Sequence, residues 1–302
     1  MTALLWTLST LLIVVLLAVA AQEYRYLRVR RDIAADRQPL FHSSSAFHAA
    51  TIVQLSPGQE LLSAVRGLVE AIESAGGQVV YAGKIAVNGL HSDQLPEVEW
   101  DAFVLAQHPS RDAYEVSASS PDVQKARSTF AAVYTQGMQR SPWVNLAVPI
   151  GLLALRTADI VRRHPSRYPF RKGEIPAGAP AEALARRQKL IDGLLANREY
   201  GSDAVVVLNF IKNGSREERK ANEGYGRQMM ALMAEMGNGP THMGRAVTVE
   251  GTAEFDSVVI VYYPGVEYFA EMVQSEFFSG IVGGKQLGDT LSSPTVPLLP
   301  HL

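Results

Sequence analysis

Polar side chains set into otherwise apolar stretches are the first places to look for chemistry. Asn209 interrupts the run Val205–Ile211, His242 opens a later extended stretch, and Tyr262 and Tyr263 close another. Brought together, Asn209, His242 and one tyrosine would orient a small carbonyl or phenolic substrate, with His242 as general base. The same residues also suit purely structural work. Asn209 would then bond a neighbouring strand, and the tyrosines would pack as amphipathic sheet residues. Arg245, Glu250 and Phe269 are the companion candidates for holding a ligand.

Other constellations are poorer. His48, His91 and His108 show neither HxH nor HxxxH spacing, so no metal site is expected. Gly283-Gly284-Lys285 and Gly237-Asn238-Gly239-Pro240 fit neither phosphate-loop template and read as helix breaks. No GxSxG elbow occurs, and the absence of cysteine removes disulfides and thiolate chemistry. With 28 Lys+Arg against 30 Asp+Glu, a nucleic-acid partner is not expected. A hydrophobic share of 47% against 19% charged residues describes a folding chain, not a disordered one. No cofactor is expected.

One partner is expected from the N-terminus. Residues 3–21 carry no formal charge and would span roughly 28 Å as a helix, close to the hydrocarbon core of a bilayer. Arg25, Arg28, Arg30 and Arg31 follow, interleaved with Tyr24 and Tyr26, and no Lys or Arg precedes the run. The positive-inside rule then puts the N-terminus outside and the remainder in the cytoplasm. Ala18-Val19-Ala20 resembles a cleavage site, so export after signal cleavage is the alternative. Arg156, Arg162, Arg163, Arg167 and Arg171 form a second basic stretch, either facing lipid head groups or simply solvated. Met229, Met230, Met233 and Met236 sit at helical spacing, as a flexible groove or as core filling.

The elements that must position these residues come in two similar sets. The division read from the chain is an anchor at 1–24, a basic tether at 25–45 and a first domain at 46–160. A linker with a connecting helix occupies 161–202, and a second domain 203–302. In the first domain, strands are expected at Phe47–Leu55, Val79–Val87 and Ala102–Gln107, with helices at Pro57–Ala75 and Pro121–Met138. A fourth strand is expected within Trp143–Leu155. The second domain repeats the order, from Ala204–Ile211 through a helix at Arg216–Met236 to a final extended Pro294–Leu299. Asp101 aligns with Asp256 at an offset of 155, which also sets Thr51–Leu55 on Val206–Phe210. The Gly83-Lys84 and Gly244-Arg245 pairs need an offset of 161. The order βαββαβ is the split ferredoxin-like unit, whose sheet keeps one bare face. Two copies would cover one another, giving an α+β chain with an intrachain pseudo-dimeric barrel behind its transmembrane helix.

Tyr263-Pro264-Gly265-Val266-Glu267-Tyr268-Phe269, then Ser275-Glu276-Phe277-Phe278 and the Val296-Pro297-Leu298 end, resembles the dimeric α/β-barrel superfamily, in an uncharacterised small-domain branch. The first half matches it loosely, with Gln107-His108-Pro109 in place of the aromatic pair. The resemblance implies a membership that includes cofactor-free oxygenases, isomerases, haem enzymes and domains of no known activity, so fold alone selects no function. His164, in a Pro/Arg loop, is a poor axial haem ligand. The function expected is binding of a small apolar or aromatic molecule near the membrane. The alternatives are a cofactor-independent oxygenase or isomerase using the second domain, and a membrane-assembly partner. Oligomeric state stays open.

Overall fold

The computed structural model describes residues 2–30, 46–173, 181–201 and 203–302. The remainder of the expected tether, from residue 31 onward, lies outside the described residues. In chain order the first elements are α1 (Thr2–Arg30), β1 (Phe47–Gln54), α2 (Leu61–Ser74), β2 (Gln78–Ile85) and β3 (Ala102–His108). Then come α3 (Arg111–Ala118), α4 (Pro121–Arg127), β4 (Ala132–Gln139), α5 (Pro142–Val161) and α6 (Ala181–Ala196). The remaining elements are β5 (Val205–Ile211), α7 (Arg216–Met236), β6 (Pro240–Thr248), β7 (Ser257–Tyr263), α8 (Val266–Val273), α9 (Glu276–Ile281) and β8 (Leu291–Pro297).

The strands close into one antiparallel barrel in the order β1-β3-β2-β8-β5-β7-β6-β4. The first four strands neighbour one another as β4-β1-β3-β2 and the last four as β8-β5-β7-β6. Two seams join these arcs. Gly83, Lys84 and Ile85 pair with Pro297, Val296 and Thr295 at one, and Gln136 to Gln139 pair with Thr248 to Arg245 at the other.

Strand alternation divides the apolar residues into layers. Ile52, Phe103, Met138, Leu208, Phe210 and Ile260 belong to one buried cluster inside the barrel. An eight-stranded barrel is about wide enough for its own side chains, and here they fill it. Outside the first arc, Val65, Leu68 and Ile72 of α2 cover Val53 and Val104. Outside the second arc, Met229, Leu232 and Met233 of α7 join Val205, Val207 and residues of α8. Helix α7 begins on a capping box between Ser215 and Glu218 and ends at Gly237, whose φ of 78° only glycine adopts readily.

Two expectations are corrected. The segment 121–138 is not one helix, because α4 stops at Arg127 and β4 follows; Tyr134 and Met138 alternate inward, the period of a strand. The fourth strand is therefore β4, and Trp143–Leu155 is helical, lying within α5. Unbroken apolar runs do not distinguish a buried strand from a half-buried helix.

Several hydrogen bonds of the first arc recur in the second. Leu55 N donates to the Asp101 carboxylate and Asn213 N to that of Asp256, both at 2.7 Å. Asp101 N donates to Val53 O and Asp256 N to Ile211 O. The third strands thus keep the offset of 155, while the first strands differ by 158 and not 155. The offset of 161 holds for the second strands, because Ile85 N and Ala246 N reach the carbonyls of Asp101 and Asp256. The irregularities between Val79 and Tyr81 and between Pro240 and His242 fall at that same offset.

Candidate functional site

The candidate residues separate onto two faces of the second arc. His242 and Tyr262 belong to the barrel interior, both with 0% exposure. The His242 ring lies edge-on to the ring of His48, with centroids 5.2 Å apart. His48 sits opposite Gln107, whose Oε1 is buried without a hydrogen-bond partner. Deeper in the barrel, Tyr134 donates to Gln136 Oε1 at 2.7 Å, and burial pushes the Tyr134 phenol well up. This inner set joins imidazoles to phenols and amides, but the surrounding apolar side chains leave it enclosed.

Asn209 and Tyr263 fall on the opposite, outer face, where the strand period must put them if His242 and Tyr262 point inward. Asn209 Nδ2 donates to Val259 O at 2.9 Å, and its Oδ1 accepts from Ser292 Oγ at 2.8 Å. It ties β5 to both neighbouring strands. Asn209 and His242 therefore do not meet at one point, and the expected grouping of His242, Asn209 and a tyrosine divides between two compartments. In the first arc, Thr51 and Thr135 make the corresponding cross-strand bond, Oγ1 to Oγ1 at 3.0 Å.

Tyr263 and Phe269 do meet, their centroids 4.8 Å apart between β7 and α8. Around them lie Met229, Met233 and Met272, with Tyr225, Phe277 and Phe278 half-buried at the margin. Burial pushes the Tyr225 phenol up to about 12 and raises those of Tyr263 and Tyr268 as well. This layer is apolar, methionine-rich and aromatic, with three phenols that stay protonated at neutral pH. The short turn at Val282–Gly284 follows α9 and ends the broken helical region.

Glu250 and Arg245 lie elsewhere. Glu250 takes both oxygens to Arg127 Nη2 at 2.7 Å and accepts from Thr135 N at 3.0 Å. Arg127 Nη1 also reaches Thr135 Oγ1 at 2.8 Å. Glu250 thus clamps the β6–β7 turn onto the first arc. Glu250→Ala is expected to lower stability by about 1.5–3 kcal/mol, the range for hydrogen bonds to a charged group, measured by urea unfolding. Arg245 is exposed beside the seam, opposite Gln139.

His48, His91 and His108 do not gather. His48 is inside the barrel, His108 packs edge-on to Tyr114 on the outer face, and His91 and His164 are exposed. Burial lowers the His108 pKa, and its Nδ1 is buried without a hydrogen-bond partner. Among the described residues no cluster of three or more His, Cys, Asp and Glu could hold a metal.

The basic stretch is only partly solvated. Arg167 is buried between Asp159 at 2.6 Å and Glu235 at 3.3 Å. Glu235 further accepts from the backbone of Arg167 and Tyr168 and from Ser166 Oγ. Arg25 of α1 donates to Ala234 O and Glu235 O, placing a cation at the C-terminus of α7. Tyr26 beside it is fully buried. Sequence reasoning missed this junction because its members lie far apart along the chain and follow no motif.

The fold defines a mixed α/β protein built on a closed eight-stranded antiparallel barrel, carrying an N-terminal apolar helix. No protein-family model matches the chain, and no curated protein matches it. Solved structures that resemble it include an anthrone oxidase-like protein, at 10% identity over 84% of this chain and 91% of that one, with a TM-score of 0.42. A chlorite dismutase mutant from Candidatus Nitrospira defluvii shares 12% identity over 85% and 94%, with a TM-score of 0.43. A Fusobacterium nucleatum protein bearing the provisional name monooxygenase shares 6% over 85% and 94%, at 0.42. At these identities and scores, none of those names carries an activity over to this chain.

Proposed function

We propose that this chain holds an α/β barrel at a membrane and receives a small apolar or aromatic molecule in the layer between β7 and helices α7–α9. One observation carries the membrane part. Two helices, at Ala3–Val29 and Pro142–Val161, are long and apolar enough to cross a bilayer, and the first is only 6% buried over its most apolar window. Its residues 4–17 are exposed on every side, whereas Val19, Gln22 and Tyr26 are buried against the body. An all-round apolar rod of four turns is untenable in water. The docked foot favours a retained anchor over a cleaved leader, and Arg25 and Arg28 at its base favour a cytoplasmic barrel.

The Met-rich aromatic layer supports the ligand part, since half-buried Tyr225, Phe277 and Phe278 form an adaptable margin. The barrel interior is the less suitable compartment, being filled by its own side chains. A second reading, a cofactor-independent oxygenase or isomerase, is favoured by the close contact of His242 with His48 near Tyr262. We infer too that the arcs are tandem ferredoxin-like units derived by duplication. The shared strand order and the matching Asp101 and Asp256 hydrogen bonds support this.

The test uses the full chain. It is expected to stay with membranes through alkaline carbonate extraction, while a chain lacking residues 2–17 is released. Release of the full chain would overturn the anchor. Native mass spectrometry of the detergent-solubilised chain is expected to show a bound small molecule that Met272→Trp excludes. A bare mass in both would end the ligand reading.

A further inference from the structure

Helix α5 carries an unpartnered face of unusual composition. One side, with Asn145, Val148, Pro149 and Leu152, is buried against the body, and Val148 and Leu152 share a cluster with Tyr26 of α1. The opposite side is exposed at Trp143, Ala147, Ile150, Ala154, Thr157 and Val161. These positions are separated by alternating steps of four and three, so they form one straight stripe along the helix. No charged residue interrupts it. Trp143 is 77% exposed and Val161 75%. Its sole hydroxyl, that of Thr157, donates back to Leu153 O at 2.8 Å, so the stripe asks for no outside hydrogen bond. Just beyond its C-terminal end, Arg162 and Arg163 are both exposed.

We infer that this stripe is a second membrane contact: α5 lies in the interfacial plane of an anionic bilayer. Trp143 sits at the head-group boundary, and Arg162 and Arg163 meet lipid phosphates. The occupant is a lipid surface because α5 is packed against the foot of α1, directly next to the bare apolar rod formed by residues 4–17. The inference thus rests on α1 being a bilayer anchor. Both ends of α5 are tied to the body, since β4 ends at Gln139 just before it and Asp159 near its end pairs with Arg167, which holds Glu235 of α7, so the helix lies on the membrane and does not cross it. A polar rim next to an aromatic and aliphatic face is the pattern of an interfacial helix. Contact along two lines, α1 and α5, would fix the tilt of the barrel relative to the bilayer.

The experiment reconstitutes the full chain, as Trp6→Phe, into phosphatidylcholine vesicles with and without phosphatidylglycerol. The lipids carry bromine either near the head group or near the acyl terminus. Trp143 emission is expected to shift to the blue and to be quenched mainly by the shallow bromine, more strongly with phosphatidylglycerol and less at high salt. The Trp143→Phe partner, which retains Trp100 inside the barrel, is expected to show no quenching. Ile150→Glu with Val161→Glu is expected to abolish Trp143 quenching while the protein still floats with vesicles. Flotation with Trp143 unquenched by either lipid overturns the inference while leaving the anchor intact. Failure to float overturns the anchor itself. A blue-shifted but unquenched Trp143, with crosslinking between copies at that position, would assign the stripe to a second copy of the chain and overturn the lipid contact.

Discussion

Replacing Glu235 by alanine is expected to destabilise the protein by about 3–5 kcal/mol, the cost of breaking a buried ion pair from one side. Glu235 and Arg167 are nearly enclosed, at 8% and 7% side-chain exposure. Removal of the carboxylate orphans the backbone N–H groups of Arg167 and Tyr168 and leaves Arg167 with Asp159 alone. Burial raises the Glu235 pKa, but the hydrogen bonds from Ser166, Arg167 and Tyr168 outweigh it, so the folded value lies below the ordinary carboxylate range. A depressed folded pKa contributes stability that is present above the unfolded pKa and lost as pH falls through the folded one. The stability of the wild type against urea should therefore fall on acidification below the ordinary carboxylate range, and Glu235→Gln should flatten that slope. An unchanged slope in Glu235→Gln would remove Glu235 from the account.

The second large effect belongs to the barrel interior. Phe210 is fully buried, 6.1 Å from Tyr134 of the first arc and 5.6 Å from Phe255 of the second by ring centroids. Phe210→Ala should cost about 3–5 kcal/mol, the range for removing a core aromatic ring. Because that ring touches both arcs, calorimetry should show one shifted transition and not two. Two separate transitions in the variant, with only one of them moved, would mean that the arcs unfold as independent bodies.

Much of this architecture was legible from residue order. Helix α7 has the expected bounds and β5 starts one residue later than expected, since a terminal glycine and a short run of β-branched residues are strong local signals. The region from Pro121 to Val161 was not legible. There Lys125 and Arg127 read on into Tyr134 as one helix, and the apolar run after Trp143 carries no strand-breaking polar residue. The face of a strand residue was hardest to read. Asn209, Tyr262 and Tyr263 all interrupt or end apolar strands, yet only Tyr262 points inward, and parity becomes decisive only once the pairing of β5 with β7 is known. The junction of Arg25, Arg167 and Glu235 depends on contacts between distant segments that no spacing announces.

The closed order of strands bears on how the chain is made. In the finished barrel each of the eight described strands is paired on both sides. During synthesis, however, β2 waits for β8, which ends at Pro297, long after β2 is complete at Ile85. At ribosomal rates of about 5–20 residues per second, that is a delay on the order of 10–40 s. Throughout it the nascent first arc offers open hydrogen-bonding flanks to any neighbouring chain, a hazard of mispairing that ends when the last strand slots in.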